Sequence, residues 1–154
     1  MPEQHAHPIA SEEARSLAAR VAAAMWERDD ASRQLGMLLK SVTPGCAELE
    51  MPVRADMLNG HAICHGGFIF TLADSAFAFA CNSYNLNTVA SGCSIDFLAP
   101  ARGGDVLTAT ARERSAAGRT GVYDVEVVNQ RGECIALFRG KSYRIKGQVV
   151  DATP

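Results

Sequence analysis

The stretch NGHAICHGGFIFTLADSAFAFACNSY, residues 59–84, decides the fold. Its opening, NGHAICHGG, reads as a loop, and the pattern from Gly66 onward predicts one long helix to about Tyr84. That helix is apolar nearly all round. Phe70, Ala73, Phe77 and Ala78 surround Asp74, its only charged residue. A helix of this kind is buried on most sides. The run from Phe68 to Cys81 is broken by Thr71, Asp74 and Ser75, and is too short to span a bilayer.

Working outward, residues 11–29 read as an amphipathic helix. Ser11 serves as N-cap, Glu12 and Glu13 sit in the first turn, and Leu17, Val21 and Met25 mark a face with Ala18, Ala22 and Trp26 beside it. The stretch from Asp29–Asp30 to Gly36 is expected to break this helix, and a second short helix or turn to follow up to Lys40. Residues 46–54 alternate Ala47, Leu49, Met51 and Val53 with polar positions, a period-2 strand whose Pro52 suggests an edge. Downstream, β patterns run over 88–98, 105–114, 119–129 and 133–145. Short Gly-containing turns separate them and imply antiparallel neighbours in a four-strand meander. The expected architecture is α+β, an antiparallel sheet curled around the one apolar helix, with edge strands that dimerisation would cover. The expected division is an N-terminal helical segment over 1–36, the main domain over 37–147 and a loose tail over 148–154.

The chain's 154 residues suit one domain with its own core. A net charge of −2, from 15 basic and 17 acidic residues, offers no broad cationic surface, so no nucleic-acid partner is expected. The N-terminus lacks a basic region followed by an apolar stretch, so no secretory signal is read there. Five cysteines, odd in number and without a framework spacing, fit a reduced cytoplasmic protein.

Two features carry chemistry. Asp74 stands in a helix with no broad polar side, where an unpaired buried carboxylate is costly. It either faces solvent or meets a partner chain or a ligand pocket. The second feature is His65-Gly66-Gly67 at the helix start. Backbone N–H groups are free there, the helix dipole favours negative charge, and glycine admits a ligand carbonyl close to the main chain. A thioester carbonyl developing an oxyanion would be well placed over such groups. Gly66 and Asp74 are eight residues apart, about 12 Å along the axis. One chain cannot bring both to one carbon. Two antiparallel helices across a two-fold axis can, so the chemistry calls for a dimer with composite sites.

The segment 59–84, followed by VASGCSIDFLAPARGGD (89–105), GVYDVEVVNQ and ALFRGKSYRI, resembles the hotdog-fold acyl-CoA thioesterases, and within them the branch that acts in phenylacetic acid degradation. The resemblance runs from about Met37 to Lys146. It implies a hotdog fold, a five- to six-stranded sheet wrapped around the central helix, in homodimers that often stack as dimers of dimers. It also implies hydrolysis of phenylacetyl-CoA or ring-hydroxylated relatives to free acid and CoA, with no cofactor. Carried over by position, Gly66 supplies the oxyanion N–H. Asp74 activates water or attacks directly. Asn59 holds the water or the leaving side, His65 fixes the loop or polarises the thioester region, and Gly67 beside it helps bind substrate. A hydroxyl residue near the start of the next strand joins them in binding substrate, and Ser91 is the nearest candidate.

Other readings remain beside this one. His61, Cys64 and His65 could suggest a metal, but a closed site needs four ligands and no second pair lies near, so none is expected. Cys64, Cys81 and Cys93 read as small core residues. A non-catalytic acyl-CoA-binding hotdog protein would not need Asp74. A hotdog hydratase or dehydratase would carry a His–carboxylate pair in a different loop context. Of the basic residues crowded after Arg102, the sequence does not say which would meet CoA phosphates.

Overall fold

A computed structural model describes residues 9–151. Helix α1, Glu12–Arg28, starts as expected: Ser11 is its N-cap and its side chain accepts from the Ala14 N–H. It buries Ala18, Val21 and Ala22, with Met25 and Trp26 half-buried beside them, and the Trp26 ring lies 6.2 Å from Phe79. A five-residue helix α2, Asp30–Gln34, follows directly. This helix occupies the stretch expected to be a break, and no helix or turn reaches Lys40. The chain instead enters strand β1, Leu38–Thr43, paired with β2, Cys46–Pro52. β1 is an edge strand with only Leu39 and Val42 half-buried, and a register shift between Leu39 and Ser41 breaks its alternation.

After a short 3-10 turn, Ala55–Met57, comes the central helix α3, Gly66–Asn82. It buries Ile69, Leu72, Ala73, Ala76, Phe77, Phe79, Ala80, Cys81 and Asn82. Strands β3 (Thr88–Phe97), β4 (Val106–Ala117), β5 (Thr120–Val128) and β6 (Cys134–Arg144) complete one six-stranded antiparallel sheet in the order β1-β2-β4-β5-β6-β3. The meander therefore has three strands, β4-β5-β6, and not four. β3 pairs only with β6 and forms the far edge. The eight residues between β3 and β4 make this possible. They pass the N-terminal end of α3, where the Cys64 N–H donates to the Ala101 carbonyl at 2.8 Å.

The inner sheet face packs Ala109, Ala111, Tyr123, Val125, Val127, Ala136 and Phe138 against α3. Gly140 lets the helix lie close: a Cβ there would stand 2.8 Å from the Phe77 ring. At its end, α3 is clamped to β3 by Asn82. The Asn82 carboxamide donates to the Thr88 carbonyl at 3.0 Å and accepts from the Thr88 N–H at 2.9 Å. The tail is tied down as far as it is described, in contrast to the loose segment expected from 148. Asn85 makes two 2.9 Å bonds to the Val150 backbone, and Arg20 donates to the Asp151 carbonyl. Residues 1–8 of the expected N-terminal segment and 152–154 of the expected tail lie outside the described residues.

Candidate active site

His65 builds the start of α3. It is the N-cap, and its Nδ1 accepts from the Gly67 N–H at 2.9 Å. An acceptor Nδ1 carries no proton, so the neutral ring holds its proton on Nε2. The His65 carbonyl accepts from Phe68 N–H, and the ring stands edge-on to Phe68. The first turn is thereby sorted. The Gly67 donor is taken by the cap, while the Gly66 N–H has no partner among the described residues. Of the two glycines expected at the site, Gly66 offers an open donor and Gly67 serves the cap. Phe97 of β3 lies over Gly66. A Cβ at position 66 would stand 2.9 Å from the tip of the Phe97 ring, so any larger residue must push that half-exposed ring aside.

Asn59 holds the preceding loop. Its Oδ1 accepts from the His61 N–H at 2.9 Å and the Ile63 N–H at 3.4 Å, and its own N–H donates to the Ile63 carbonyl. With the oxygen used this way, the Asn59 Nδ2 is left as a donor. Asn59 and Gly66 line one cleft of about 590 Å³, together with Ile63, Ile69, Phe97 and Leu98. Sequence reasoning missed Phe97 and Leu98. Their signal was two large apolar residues side by side at a strand end, just before Pro100.

Asp74 does not line that cleft. It lies in the least buried stripe of α3, with Gly67, Thr71 and Ala78. It makes no hydrogen bond among the described residues, while both neighbouring hydroxyls are occupied. Thr71 donates to the Gly67 carbonyl at 2.8 Å, and Ser75 bonds Ser32 of α2 at 2.7 Å. Desolvation raises the Asp74 carboxyl above its ordinary value. Its charge also helps raise the thiols of Cys81 and Cys93, behind the larger effect of desolvation. Cys64 and Cys81 are buried as expected, while Cys93 on β3 is exposed and not a core residue. Ser91 sits at the β3 register shift. It is exposed, and its hydroxyl donates to the Lys141 carbonyl at 3.2 Å, so its hydrogen bond goes to the sheet. Within one chain the structure joins Asn59, His65 and Gly66, and leaves Asp74 about 12 Å further along an unbroken helix. Among the described residues no three His, Cys, Asp or Glu side chains group as metal ligands.

The Thioesterase superfamily model matches residues 61–136, which span the Gly66 loop, α3, β3, β4, β5 and the start of β6. The acyl-coenzyme A thioesterase PaaI of Escherichia coli K12 is 55% identical over 126 residues, covering 82% of this chain and 90% of the relative. The chain belongs to the thioesterase superfamily. Among solved structures of the superfamily, the E. coli PaaI protein from the phenylacetic acid degradation operon superposes with a TM-score of 0.86 at 53% identity, covering 87% of this chain and 97% of that one. A Streptococcus mutans protein solved with bound acetyl CoA matches with a TM-score of 0.70 at 27% identity, over 73% of this chain and 90% of its own. The hotdog fold expected from the sequence is therefore the fold observed, and the chain is a PaaI acyl-CoA thioesterase homologue.

Proposed function

We propose that this protein hydrolyses acyl-CoA thioesters, with phenylacetyl-CoA or its ring-hydroxylated relatives as substrate, at sites shared between two copies of the chain. The observation that carries this reading is the half-buried, unpartnered Asp74 on the open stripe of α3, in a chain whose Gly66 N–H is also open. The likeness to PaaI along most of the chain supports the choice of thioester and of acyl class.

In an antiparallel pair, Asp74 of one copy faces Gly66 of the other. The Gly66 N–H and the start of α3 hold the thioester oxygen as negative charge develops. The Asp74 carboxylate takes a proton from water as the water oxygen bonds to the carbonyl carbon. The tetrahedral intermediate collapses, the C–S bond breaks, and the sulfur leaves as the CoA thiolate. The Asn59 Nδ2 donor suits the water or the departing side. The same carboxylate could instead attack the carbonyl and form a mixed anhydride that water then opens. Single-turnover hydrolysis in oxygen-18 water separates the two routes: label found in the Asp74 carboxylate means direct attack.

Support for pairing comes from β3. It is an edge strand with an unpaired side and exposed Val89 and Phe97, Leu98 follows directly after it, and such an edge is normally covered. A dimer of dimers fits the exposed Leu137 and Tyr143 on β6. Five free cysteines fit a cytoplasmic setting. The chemistry requires no cofactor, nucleic acid or membrane. No helix among the described residues is long and apolar enough to cross a membrane.

The test is release of CoA thiol from phenylacetyl-CoA, followed with a thiol-reactive dye. Hydrolysis by the wild type and its loss in Asp74→Asn support the reading. No release from any aryl- or alkyl-CoA would favour an acyl-CoA-binding protein.

A further inference from the structure

Asp74 has two hydroxyl neighbours on α3, and the chain uses them differently. Ser75 commits its oxygen to the bond with Ser32 of α2, at 2.7 Å. Thr71 stands one turn before Asp74, in the open stripe formed by Gly67, Thr71, Asp74 and Ala78. Its hydroxyl donates to the Gly67 carbonyl at 2.8 Å. A hydroxyl has one hydrogen and two lone pairs. With its hydrogen spent on the helix, Thr71 Oγ1 is left as an acceptor on the same open stripe as the carboxylate.

Side chains three residues apart on a helix are neighbours, with Cβ atoms about 5–6 Å apart, and each leans toward the helix N-terminus. The Asp74 side chain therefore leans over Thr71. Among the described residues the two make no hydrogen bond to each other, as befits an ionised carboxylate and a hydroxyl whose proton is committed. Two acceptors at this spacing match one molecule with two hydrogens, a water that donates to both at about 2.8 Å. Asp74 alone would hold that water by one hydrogen and leave it free to turn about the bond. With both hydrogens held against α3, the water presents its lone pairs away from the helix, toward the side where the second copy and the thioester lie.

We propose that Thr71 is a further catalytic residue, which holds the attacking water together with Asp74 of the same chain. This inference deepens the thioesterase reading and rests on it, in the form where water attacks. As the water oxygen bonds to the carbonyl carbon, one hydrogen passes to the Asp74 carboxylate. The other stays on the oxygen, in its hydrogen bond to Thr71 Oγ1. Thr71 neither gains nor loses a proton; it fixes the direction of the attacking lone pair.

The test is steady-state hydrolysis of phenylacetyl-CoA by Thr71→Val, which keeps the shape of the side chain and removes its oxygen. This variant should lose about tenfold in kcat, with KM within about twofold of wild type. Thr71→Ser, which keeps the oxygen, should recover most of the loss. Added to Asp74→Asn, Thr71→Val should cost almost nothing more, because both residues act on one water. A purely structural role would lower kcat by the same factor in both backgrounds. Four results would each overturn the inference and leave the thioesterase reading standing: an unchanged kcat in Thr71→Val, a loss that Thr71→Ser does not recover, an equal loss in the Asp74→Asn background, or oxygen-18 label in the Asp74 carboxylate. Failure of the wild type to release CoA thiol from phenylacetyl-CoA and its ring-hydroxylated relatives would overturn both.

Discussion

At the scale of the residue, Asp74 sets function against stability. Its carboxyl titrates above the ordinary value because burial disfavours the charge. The stability tied to this shift is present below the ordinary carboxylate range and is lost as pH rises through the raised value. Asp74→Asn should therefore melt at a higher temperature than wild type near neutral pH, with the gap closing as pH falls into the acid range. Scanning calorimetry at several pH values checks this. The same variant should lose about 10²- to 10⁴-fold in kcat, the usual contribution of a positioned base. In the wild type, kcat should fall on the acid side with an apparent pKa above that of a free aspartate. Gly66→Ala tests the other half of the site. Its methyl would press on the Phe97 ring and displace the N–H, at a cost of about 10²-fold in kcat. Steady-state kinetics on a single thioester measures both variants.

At the scale of the element, α3 is placed by polar contacts at its start, middle and end. His65 caps it, Ser75 ties it to α2, and Asn82 clamps it to β3. The α2 tie runs through Ser32, which is 1% exposed. Its Oγ lies 2.6 Å from the Asp29 carboxylate, which only accepts, so Ser32 donates there and accepts from Ser75. Ser32→Ala leaves that carboxylate short of a donor and should cost about 1–3 kcal/mol in chemical denaturation. His65→Ala should cost about 1 kcal/mol through loss of the cap, and His65→Asn should recover most of it, because Asn also accepts from the first turn.

Helices α1 and α3 were legible in the sequence because their signals are local, whereas the single turn-and-a-half of α2 was hidden in a stretch that reads as a break. Caps, 3.6-residue spacing and the single charge in an apolar run all lie within one element. β1 was not, since an edge strand with Leu38 exposed beside half-buried Leu39 has no clean alternation to read. The place of β3 was not either. Short turns identify β4-β5-β6 as neighbours, but the Leu98–Asp105 connection is long enough to carry the chain to a different strand, and nothing local records which.

At the scale of the whole molecule, residues 59, 65, 66 and 74 were all readable from one segment, yet their grouping was not. The cap that consumes the Gly67 donor, the Phe97 ring over Gly66 and the use of Ser91 in the sheet depend on contacts between distant strands and loops. What the segment did convey was a length. Eight helical residues hold Gly66 and Asp74 about 12 Å apart, and no rearrangement within one folded chain closes that gap. A composite site across a two-fold axis does. The protein should therefore be at least dimeric by light scattering, and a proline placed in β3 at exposed Cys93, whose N–H faces the open edge and not β6, should weaken the assembly together with activity.

Subunit mixing tests this most directly. Asp74→Asn and Gly66→Ala chains, each nearly inactive alone, are co-refolded in equal amounts. Half the dimers are then mixed, and each mixed dimer holds one site with Asp74 and Gly66 both intact. The account predicts recovery of about a quarter of the wild-type rate. A mixture no more active than its two separate components would contradict it.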